Sequence, residues 1–408
     1  MKNKDISIGI IGLGYVGLPL ANGLSNNFRT NGYDINSKKI LELKKGYDQT
    51  NELKKINKSL KLTAKLKDLE DCNFYIFCLP TPVNNKKKPD LKILNESLKL
   101  VSDIYNPGDT IILESTFYPG ATEELVNKYF KKNNKKINIG YSPERINPGD
   151  KKNIISKITK VVSANNISTL NIMKKIYGSL NNNNIYAAKN IKVAEAAKLI
   201  ENVQRDLNIG LINELSQVFD KIDISVHDVL SAAKTKWNFL NFKPGLVGGH
   251  CIGVDPYYLK YLCDKVKFKP KVFMSARNTN EDMIFFYKKK IIKYFNSKSK
   301  ILYLGVTFKE NTNDLRNSKY LDLLKIISKN HKVHYYDPLA KNLDKLDKNL
   351  IKYKKQVYDV IIFAVPHNKL FYFLKNNLKS LIKTNGTFID LNKNYKFPLN
   401  KSIKYICL

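Results

Sequence analysis

The stretch Gly12-Leu13-Gly14-Tyr15-Val16-Gly17 decides the fold of the N-terminal part of the chain. An apolar, β-rich run at residues 6–11 leads directly into it, and a helical stretch follows from Leu18. In such a strand–turn–helix unit the first glycine permits a tight turn, the second lets the backbone approach a pyrophosphate, and the third lets helix and strand pack closely. The unpaired N–H groups at the helix N-terminus then suit phosphates. The stretch therefore predicts a dinucleotide site.

The choice between dinucleotides is indicated by Asp34. This residue follows a second predicted strand, Arg29–Tyr33, and lies about twenty residues after the first glycine of the turn. A carboxylate at this place accepts hydrogen bonds from both ribose hydroxyls and repels a 2′-phosphate. We therefore expect NAD rather than NADP.

The hydrophobic pattern divides the chain into three parts. Predicted strands and helices alternate through residues 1–185, which indicates a parallel, doubly wound α/β sheet. Apolar residues at helical spacing continue from Ile191 to Ile222 without a proline, which predicts one long helix. A second αβ region begins near Lys300 and has no second Gly-x-Gly-x-x-Gly, so we do not expect a second NAD.

The composition limits the possible partners and compartments. The net charge is +34, from 70 Lys and Arg against 36 Asp and Glu, but the lysines are scattered and form no nucleic-acid motif. We expect no nucleic-acid partner, and a cationic surface that attracts anionic nucleotides. No apolar run approaches a membrane span, and the first strand begins too near Met1 for a signal peptide. Five cysteines without metal-ligand spacing indicate no metal site and a reducing cytoplasm.

A second glycine-rich stretch lies far downstream. Gly245-Leu246-Val247-Gly248-Gly249-His250-Cys251 places a thiol in a loop that can wrap closely around a ligand, and Asp255 follows four residues later. An exposed thiol near cations ionises more readily, and a thiolate can attack an aldehyde. A redox cofactor together with this thiol predicts an oxidation that passes through a covalent intermediate.

Polar residues on the long predicted helix and after two strands add to the candidate site. Lys198 and Asn202 are four residues apart and share a helix face, although spacing alone favours a salt-bridged, structural Lys198. Glu195 is expected to be an ordinary surface charge. Glu114–Thr116 and Ser142–Asp150 follow predicted strands, and open α/β sheets bind ligands at the carboxyl ends of their strands.

These motifs, in this order, resemble the UDP-glucose/GDP-mannose dehydrogenase family across essentially the whole chain. The stretches that carry the resemblance are Gly-Leu-Gly-Tyr-Val-Gly-Leu-Pro-Leu (12–20), Glu-Ser-Thr-Phe-Tyr-Pro-Gly-Ala-Thr (114–122), Tyr-Ser-Pro-Glu-Arg-Ile-Asn-Pro-Gly-Asp-Lys (141–151), Val-Ala-Glu-Ala-Ala-Lys-Leu-Ile-Glu-Asn (193–202), Gln-Arg-Asp-Leu-Asn-Ile (204–209) and the loop 244–256. Within the family, the chain is similar to the branch that acts on UDP-N-acetylhexosamines.

The resemblance implies a fold of two Rossmann-like, doubly wound α/β domains joined by a long central helix. It implies an NAD-binding domain at residues 1–185, a central helical domain at 186–295 and a UDP-sugar-binding domain at 296–408. In the family the long helix also builds a dimer, so we expect a homodimer through it.

The resemblance also implies roles for individual residues. Cys251 matches the family's nucleophile. Lys198, Asn202 and Asp255 match polar groups around the reacting C6 oxygen. Thr116 and Glu144 match residues that handle water and proton transfer. The residues that match NAD contacts are Gly12, Gly14, Tyr15, Val16, Gly17, Asp34, Lys39, Thr81, Thr116 and Arg316. Those that match substrate contacts are Glu144, Arg145, Lys198, Asn202, Phe242, Gly245, Gly248 and Lys309.

One position departs from the family pattern. Many UDP-glucose enzymes carry a second glutamate four residues after the one that Glu144 matches, but this chain has Pro148 there. The role of that second carboxylate does not transfer to this chain. Glu144 is therefore the sole candidate base from this loop.

The implied reaction is a four-electron oxidation of C6 of a UDP-N-acetylhexosamine to the uronic acid, for surface polysaccharide precursors. Its intermediates would be a thiohemiacetal and a thioester at Cys251, and UDP-GlcNAc is the expected substrate. Residues 204–206 and 145–149 favour this branch, while UDP-glucose, UDP-GalNAc and UDP-ManNAc stay open as alternatives. A single-oxidation NAD alcohol dehydrogenase would not need Cys251, and a non-catalytic NAD-binding protein would leave Cys251, Lys198 and Asp255 unexplained.

Overall fold

The structure is a computed structural model that describes residues 5–50, 52–131, 136–145, 154–340, 343, 347 and 350–408. By internal packing the chain forms two compact units, Met1–Glu201 with Tyr257–Phe268, and Asn202–Pro256 with Lys269–Leu408. Each unit has its own sheet. The division into three domains at residues 185 and 295 stays a prediction.

The first unit is an eight-stranded sheet with helices packed on it. Its strands are β1 (Ser7–Ile11), β2 (Arg29–Tyr33), β3 (Lys61–Thr63), β4 (Phe74–Phe77), β5 (Thr110–Leu113), β6 (Asn138–Tyr141), β7 (Lys160–Ala164) and β8 (Ile185–Ala187). Its helices are α1 (Gly17–Leu24), α2 (Ser37–Lys44), α3 (Lys92–Ser102), α4 (Ala121–Phe130) and α5 (Ile167–Gly178). The strand order is β3-β2-β1-β4-β5-β6-β7-β8.

This strand order explains both the core and the place of the candidate site. Strands β1, β4 and β5 are buried at every position, as expected for parallel strands with both faces covered. The order reverses between β1 and β4, and doubly wound sheets bind ligands beside such a switch point, at the carboxyl ends of the strands. The predicted dinucleotide turn follows β1 and therefore lies at this point.

The edge of the sheet formed by β6, β7 and β8 differs from the expected all-parallel arrangement. That expectation came from the alternation of predicted strands and helices. Strands β6 and β7 pair antiparallel, with Gly140 opposite Ala164, and β8 runs parallel to β7. The segment that joins β6 to β7 contains no helix among its described residues. An antiparallel pair does not need the crossover helix that a parallel pair requires, so this connection permits the reversal.

The 30-residue helix α6 (Ile191–Asp220) confirms the predicted long helix but corrects one expectation about it. Glu195 is fully buried rather than a surface charge. Its carboxylate accepts hydrogen bonds from Gly120 N (2.5 Å), Thr122 N (2.8 Å) and Thr122 Oγ1 (2.7 Å). These groups begin α4, whose N-cap residue Gly120 has no side chain to pair with the first amides. Glu195 caps α4 from another helix.

The second unit contains a six-stranded parallel sheet. Its strands are β9 (Ile301–Leu304), β10 (Val333–Tyr336), β11 (Ile351–Lys352), β12 (Tyr358–Phe363), β13 (Ile382–Asp390) and β14 (Lys404–Cys407), in the order β11-β10-β9-β12-β13-β14. Its helices are α7 (Val226–Ala233), α9 (Val272–Ile291), α10 (Lys319–Ser328) and α11 (Asn368–Leu381). Helices α6 and α8 (Asp255–Lys265) each begin in one unit and end in the other.

The turn after the first strand has the same geometry in both sheets. Gly12 follows β1 with φ +94°, and Gly305 follows β9 with φ +87°. Gly12 N donates to Tyr33 O (2.8 Å), and Gly305 N donates to Tyr336 O (3.0 Å). In each case the bond joins the turn to the end of the second strand. The two sheets therefore share the same turn geometry after their first strand.

Burial of Glu195 predicts a pH-dependent stability. Burial raises its pKa from 4.5 to about 7, against the three hydrogen bonds that lower it. The proton on the Glu195 carboxyl stabilises the folded chain fully below pH 4.5. This stabilisation is lost as pH rises to about 7, because the unfolded chain releases its proton at a lower pH than the folded chain. We expect wild type to lose on the order of 1–3 kcal/mol more than Glu195→Gln between about pH 5 and about pH 8.

Urea unfolding followed by circular dichroism at each pH measures this difference. Glu96→Gln is the matched control, because Glu96 is an exposed glutamate on a helix of the same unit. Its pH dependence should follow that of wild type. Parallel pH curves for wild type and Glu195→Gln would contradict the prediction.

Candidate active site

In the turn between β1 and α1, Gly17 is closely packed, whereas the space beside Gly14 is open. A Cβ on Gly17 would stand 1.9 Å from Gly12 O, so only glycine allows this approach of turn and helix. A Cβ on Gly14 would meet no atom within 4 Å. Packing therefore does not require glycine at position 14, whereas close approach of a ligand to the backbone would. Tyr15 and Val16 complete the turn and are half-buried.

Asp34 is fixed beside this turn. Its Oδ2 accepts a hydrogen bond from Leu13 N (3.1 Å) and pairs with Lys39 Nζ (2.8 Å), and its Oδ1 accepts from Asn36 N (3.0 Å). An open glycine turn and a fixed carboxylate fit a nicotinamide dinucleotide. The turn would hold the pyrophosphate, and Asp34 would hold the adenosine ribose. Lys39, predicted to contact NAD, is held here by Asp34.

Thr81 and Thr116 lie together at the carboxyl edge of the same sheet. Thr81 Oγ1 donates to Thr116 O (3.1 Å), and Ser115 Oγ donates to Leu79 O (2.5 Å). These bonds tie the segment after β4 to the segment after β5. Tyr258 OH donates to Thr81 O (2.9 Å) and holds the first of these segments from α8. The structure thus brings together two residues that were predicted separately as NAD contacts.

Glu144 lies beside a buried ion pair at the same edge. Lys160 Nζ is 2.9 Å from Glu114 Oε2 and 3.9 Å from Glu144 Oε2, and both Lys160 and Glu114 are buried. The Nζ atom also lies 5.4 Å from the centroid of the Tyr177 ring. Burial lowers the pKa of Lys160, but the two carboxylates outweigh it and raise the pKa above its usual value. Lys160 is therefore a fixed cation next to the candidate base.

Sequence reasoning missed Lys160. The signal was present, because Lys160 leads directly into the apolar residues Val161 and Val162 of the buried strand β7. A charge in a buried strand has to be paired, so such a lysine points to a carboxylate elsewhere in the chain.

Arg145, predicted to contact the substrate, is paired with protein groups. Its Nη2 lies 3.0 Å from Glu201 Oε1, and its Nη1 donates to Thr159 O (3.1 Å). The rest of the predicted loop, residues 146–151 with Pro148, lies outside the described residues.

In the second unit the thiol loop leads into α8. Cys251 is half-buried, and its carbonyl accepts hydrogen bonds from Val254 N and Asp255 N, both at 2.9 Å. Asp255 is 1% exposed and accepts a hydrogen bond from Asn202 Nδ2 (2.6 Å). The structure thus brings together two predicted residues, Asn202 and Asp255. Asp255 lies four residues after Cys251. All five cysteines are thiols rather than disulfides.

Lys198 lies on α6, one helical turn before Asn202, and is buried. The two residues share a helix face, as the spacing of four predicted. Their side chains are therefore part of one row on this helix.

The glycines of the thiol loop lie close to other segments of the second unit. A Cβ on Gly248 would stand 2.4 Å from Asn317 O, and Gly249 N donates to the same oxygen (3.2 Å). Gly245 exchanges hydrogen bonds with the side chain of Asn213. Phe242, predicted to contact the substrate, packs against the small apolar cluster of Ile212, Val226 and Leu230.

The two predicted cations of the C-terminal part differ in their surroundings. Arg316 is held by Asp314, whose Oδ1 lies 2.9 Å from Nε and whose Oδ2 lies 2.6 Å from Nη2. His250, next to the thiol, lies 3.5 Å from the same carboxylate. Lys309 Nζ lies 5.6 Å from the centroid of the Phe308 ring. Arg316 is therefore held by an ion pair, whereas Lys309 lies over an aromatic ring.

Two kinds of feature are absent from the residues that the structure describes. No group of three or more His, Cys, Asp or Glu side chains there is arranged to hold a metal ion. No helix in the described part of the chain is long and apolar enough to cross a membrane.

The open glycine turn and the fixed carboxylate on a doubly wound sheet define an α/β protein that binds a nicotinamide dinucleotide. Residues 6–181 match the NAD binding domain of the UDP-glucose/GDP-mannose dehydrogenase family, residues 192–282 its central domain, and residues 302–396 its UDP binding domain. The chain therefore belongs to this family and is an NAD-dependent nucleotide-sugar 6-dehydrogenase.

Individual relatives are similar over nearly the whole length. The UDP-N-acetyl-D-glucosamine 6-dehydrogenase of Salmonella typhi is 40% identical over 98% of this chain and 98% of its own. The enzyme of that name from Pseudomonas aeruginosa is 39% identical over 95% of this chain and 97% of its own. The solved structure of a UDP-D-ManNAc dehydrogenase from Pyrococcus horikoshii has a TM-score of 0.84 and 27% identity, covering 98% of this chain and 99% of that one.

The pairing of Asp34 with Lys39 predicts how the cofactor preference can be changed. We expect Asp34→Ala to weaken NAD binding about tenfold or more, because the ribose loses a charged hydrogen-bond partner. The same change leaves Lys39 without this carboxylate, so NADP should bind better than before. Michaelis constants for NAD and NADP measure both effects. Asp71→Asn, at an exposed position of the same unit, is the control. A wild-type enzyme that already uses NADP as well as NAD would contradict this interpretation.

Proposed function

We propose that this chain oxidises C6 of a UDP-N-acetylhexosamine, with UDP-GlcNAc as the preferred substrate, to the uronic acid through a thioester at Cys251. The observation that carries the proposal is the thiol in a glycine loop, followed four residues later by a buried carboxylate that holds Asn202. The names of the two relatives from Salmonella typhi and Pseudomonas aeruginosa support the substrate class. The acid would serve as a precursor for surface polysaccharide.

The first oxidation converts the C6 alcohol to an aldehyde. NAD, when bound, supplies the oxidising power of both oxidations by accepting a hydride in each. The alcohol proton passes to water or to Asp255. Asp255 is suited to this role because its carboxylate is held in one orientation by Asn202. Lys198 and Asn202 stabilise the negative charge that develops on the C6 oxygen.

The second oxidation passes through the thiol. Cys251 Sγ forms a bond to C6 of the aldehyde and gives a thiohemiacetal, whose C–H hydride leaves in the second oxidation to give the thioester. Water then adds to C6, and the C–S bond breaks to return the thiolate and release the carboxylate. The balance is one alcohol, two NAD and one water for one carboxylate, two NADH and three protons.

Glu144 is the residue that we propose to orient this water. Its carboxylate lies 3.9 Å from the buried cation of Lys160, which attracts it and limits its movement. The Arg145 backbone amide also donates to Glu144 Oε1 (2.6 Å) and restricts the same side chain. A carboxylate held by both groups can accept a proton from water in a defined direction.

We also propose that the chain forms a homodimer through α6. The helix exposes Leu211 and Val218, each roughly half accessible. Their spacing of seven residues puts these side chains on one face. An exposed apolar row on a long helix is typical of a surface that a partner covers.

Substitution of Cys251 tests the covalent course. We expect Cys251→Ala and Cys251→Ser to lose sustained turnover by on the order of 10³-fold or more, because neither can complete the thioester cycle. Wild type should release two NADH for each UDP-sugar consumed. NADH absorbance with product analysis measures both quantities, and Cys407→Ala is the control thiol variant. Sustained NADH production by either Cys251 variant at the wild-type rate would remove the thiol from the mechanism.

The substrate class is tested by a panel of nucleotide sugars. An N-acetyl group at C2 is bulky and offers both a donor and an acceptor, so a site that pairs with it rejects the plain hydroxyl of glucose. We expect kcat/KM for UDP-GlcNAc to exceed that for UDP-glucose by about 100-fold or more. UDP-GalNAc should be the nearest rival because only C4 differs, and UDP-ManNAc and GDP-mannose complete the panel. Equal kcat/KM for UDP-glucose and UDP-GlcNAc would contradict the substrate proposal and leave the family chemistry intact.

A further inference from the structure

Helices α6 and α9 are in backbone contact within the second unit. A Cβ added to Gly210 would stand 2.8 Å from both Cβ and O of Ala276, so only glycine allows this approach. The crossing brings polar side chains of both helices into the interior. On α6 these are Asp206 and Asn213, and on α9 they are Arg277 and Asn280, all four buried.

Arg277 and Asp206 form an ion pair, and Asn280 is hydrogen-bonded to Asp206. Arg277 Nη1 lies 2.7 Å from Asp206 Oδ1. Asn280 Nδ2 donates to the same Oδ1 and to the backbone carbonyl of Asp206, both at 2.8 Å. The direction of the Asn280 amide is thereby set, with its oxygen pointing away from Asp206.

The fourth side chain, Asn213, links this hydrogen-bonded group to the thiol loop. Asn213 Nδ2 donates to Asn280 Oδ1 (2.7 Å) and to Gly245 O (3.0 Å), while Asn213 Oδ1 accepts from Gly245 N (2.8 Å). Both main-chain groups of Gly245 are thus bound by one amide, as a neighbouring strand would bind them. Gly245 begins the glycine-rich stretch that ends in Cys251.

The other end of the loop is tied to the same helix face. Asn202 on α6 bonds to Asp255, four residues after the thiol. Asn202 and Asn213 are eleven residues apart, which is about three helical turns and about 16 Å, so they lie on one face. The loop from Gly245 to Asp255 is therefore attached to α6 at both ends by asparagines.

Stability alone does not account for this polar chain. A buried ion pair often contributes less than apolar residues of similar volume, because both charges lose their hydration. Among the described residues, Arg277 Nε and Asp206 Oδ2 are buried without a hydrogen-bond partner. Burial also raises the pKa of Asp206 to about 6, against the Arg277 charge that lowers it. The polar chain is therefore a weak source of stability, and its bond from Asn213 to Asn280 sets the direction of the Asn213 amide.

We propose that Asn213, oriented by Asn280, Asp206 and Arg277, is a positioning residue that holds the Gly245 backbone in the conformation that binds the UDP-sugar. This inference rests on the proposed function. It gives Asp206, which lies in the 204–206 stretch that the resemblance led us to weigh for the substrate branch, an indirect role through Asn280 and Asn213. It separates this polar chain from the groups that contact the reacting C6 atom.

The test is Asn213→Asp, which keeps the size of the side chain and the acceptor for Gly245 N. It removes the NH2 group that donates to Gly245 O and Asn280 Oδ1, and it places a carboxylate oxygen opposite both. We expect amide hydrogen exchange in the peptide around residues 240–252 to accelerate by about tenfold or more. We expect KM for UDP-GlcNAc to rise by about tenfold or more, with KM for NAD unchanged.

The matched control is Asn208→Asp on the same helix. The Asn208 amide donates to Gln204 O (2.7 Å) at the surface, so this variant should keep wild-type exchange and KM. If Asn213→Asp does not fold, Asn280→Ala removes the group that orients Asn213 and should give the same two effects in weaker form.

The outcomes separate this proposal from the proposed function. Wild-type exchange and KM in both the Asn213 and Asn280 variants would overturn it. Faster exchange with an unchanged KM for the sugar would overturn it too, as would equal losses for NAD and sugar together with a large fall in melting temperature. A wild-type enzyme that forms no NADH with any UDP-sugar would instead overturn the proposed function, while the exchange experiment would still show whether Asn213 holds the loop.

Discussion

Both sheets depend on the main-chain hydrogen bond from the glycine after the first strand to the last residue of the second strand. This bond fixes where the chain leaves the sheet, and with it the carboxylate that follows the second strand. In the first unit Asp34 Oδ2 accepts from Leu13 N (3.1 Å), and in the second Asp337 Oδ2 accepts from Val306 N (2.7 Å). One hydrogen-bonding pattern therefore creates two equivalent places for a carboxylate at the switch point of a doubly wound sheet.

The two carboxylates differ in what surrounds them. Asp337 also accepts from Leu339 N and Ala340 N, and its Oδ2 lies 3.1 Å from Nε2 of the fully buried His367. Burial acts to raise the pKa of Asp337, but these partners outweigh it and hold the pKa below its usual value. Asp34 is paired with a partly exposed lysine at the surface instead. The protein's own groups surround the second carboxylate, whereas the first faces a turn with open space at Gly14.

The sequence predicted the features that depend on neighbours in the chain. The period of the apolar residues placed β2 at its observed bounds and α6 within a few residues of its observed end, because strand and helix periods are local. Pairings between distant residues have no such signal. Nothing near Glu195 in the sequence shows that it caps α4, and nothing near Asn213 shows that it binds Gly245. Matched motifs identified Asn202 and Asp255, but only the folded chain shows that these two side chains bond to each other.

The strand direction that the sequence did not predict is also what makes the Lys160 cluster possible. Glu114 directly follows β5, and Glu144 follows β6, so both lie at the carboxyl edge of the sheet. Lys160 is the first residue of β7, and a first residue reaches that edge only if its strand runs antiparallel to the others. In a parallel β7 it would lie about 13 Å away, at the opposite edge. The antiparallel direction of β7 therefore places the buried cation of Lys160 beside Glu144. The same strand reversal determines both the topology of this sheet edge and the charge next to the candidate base.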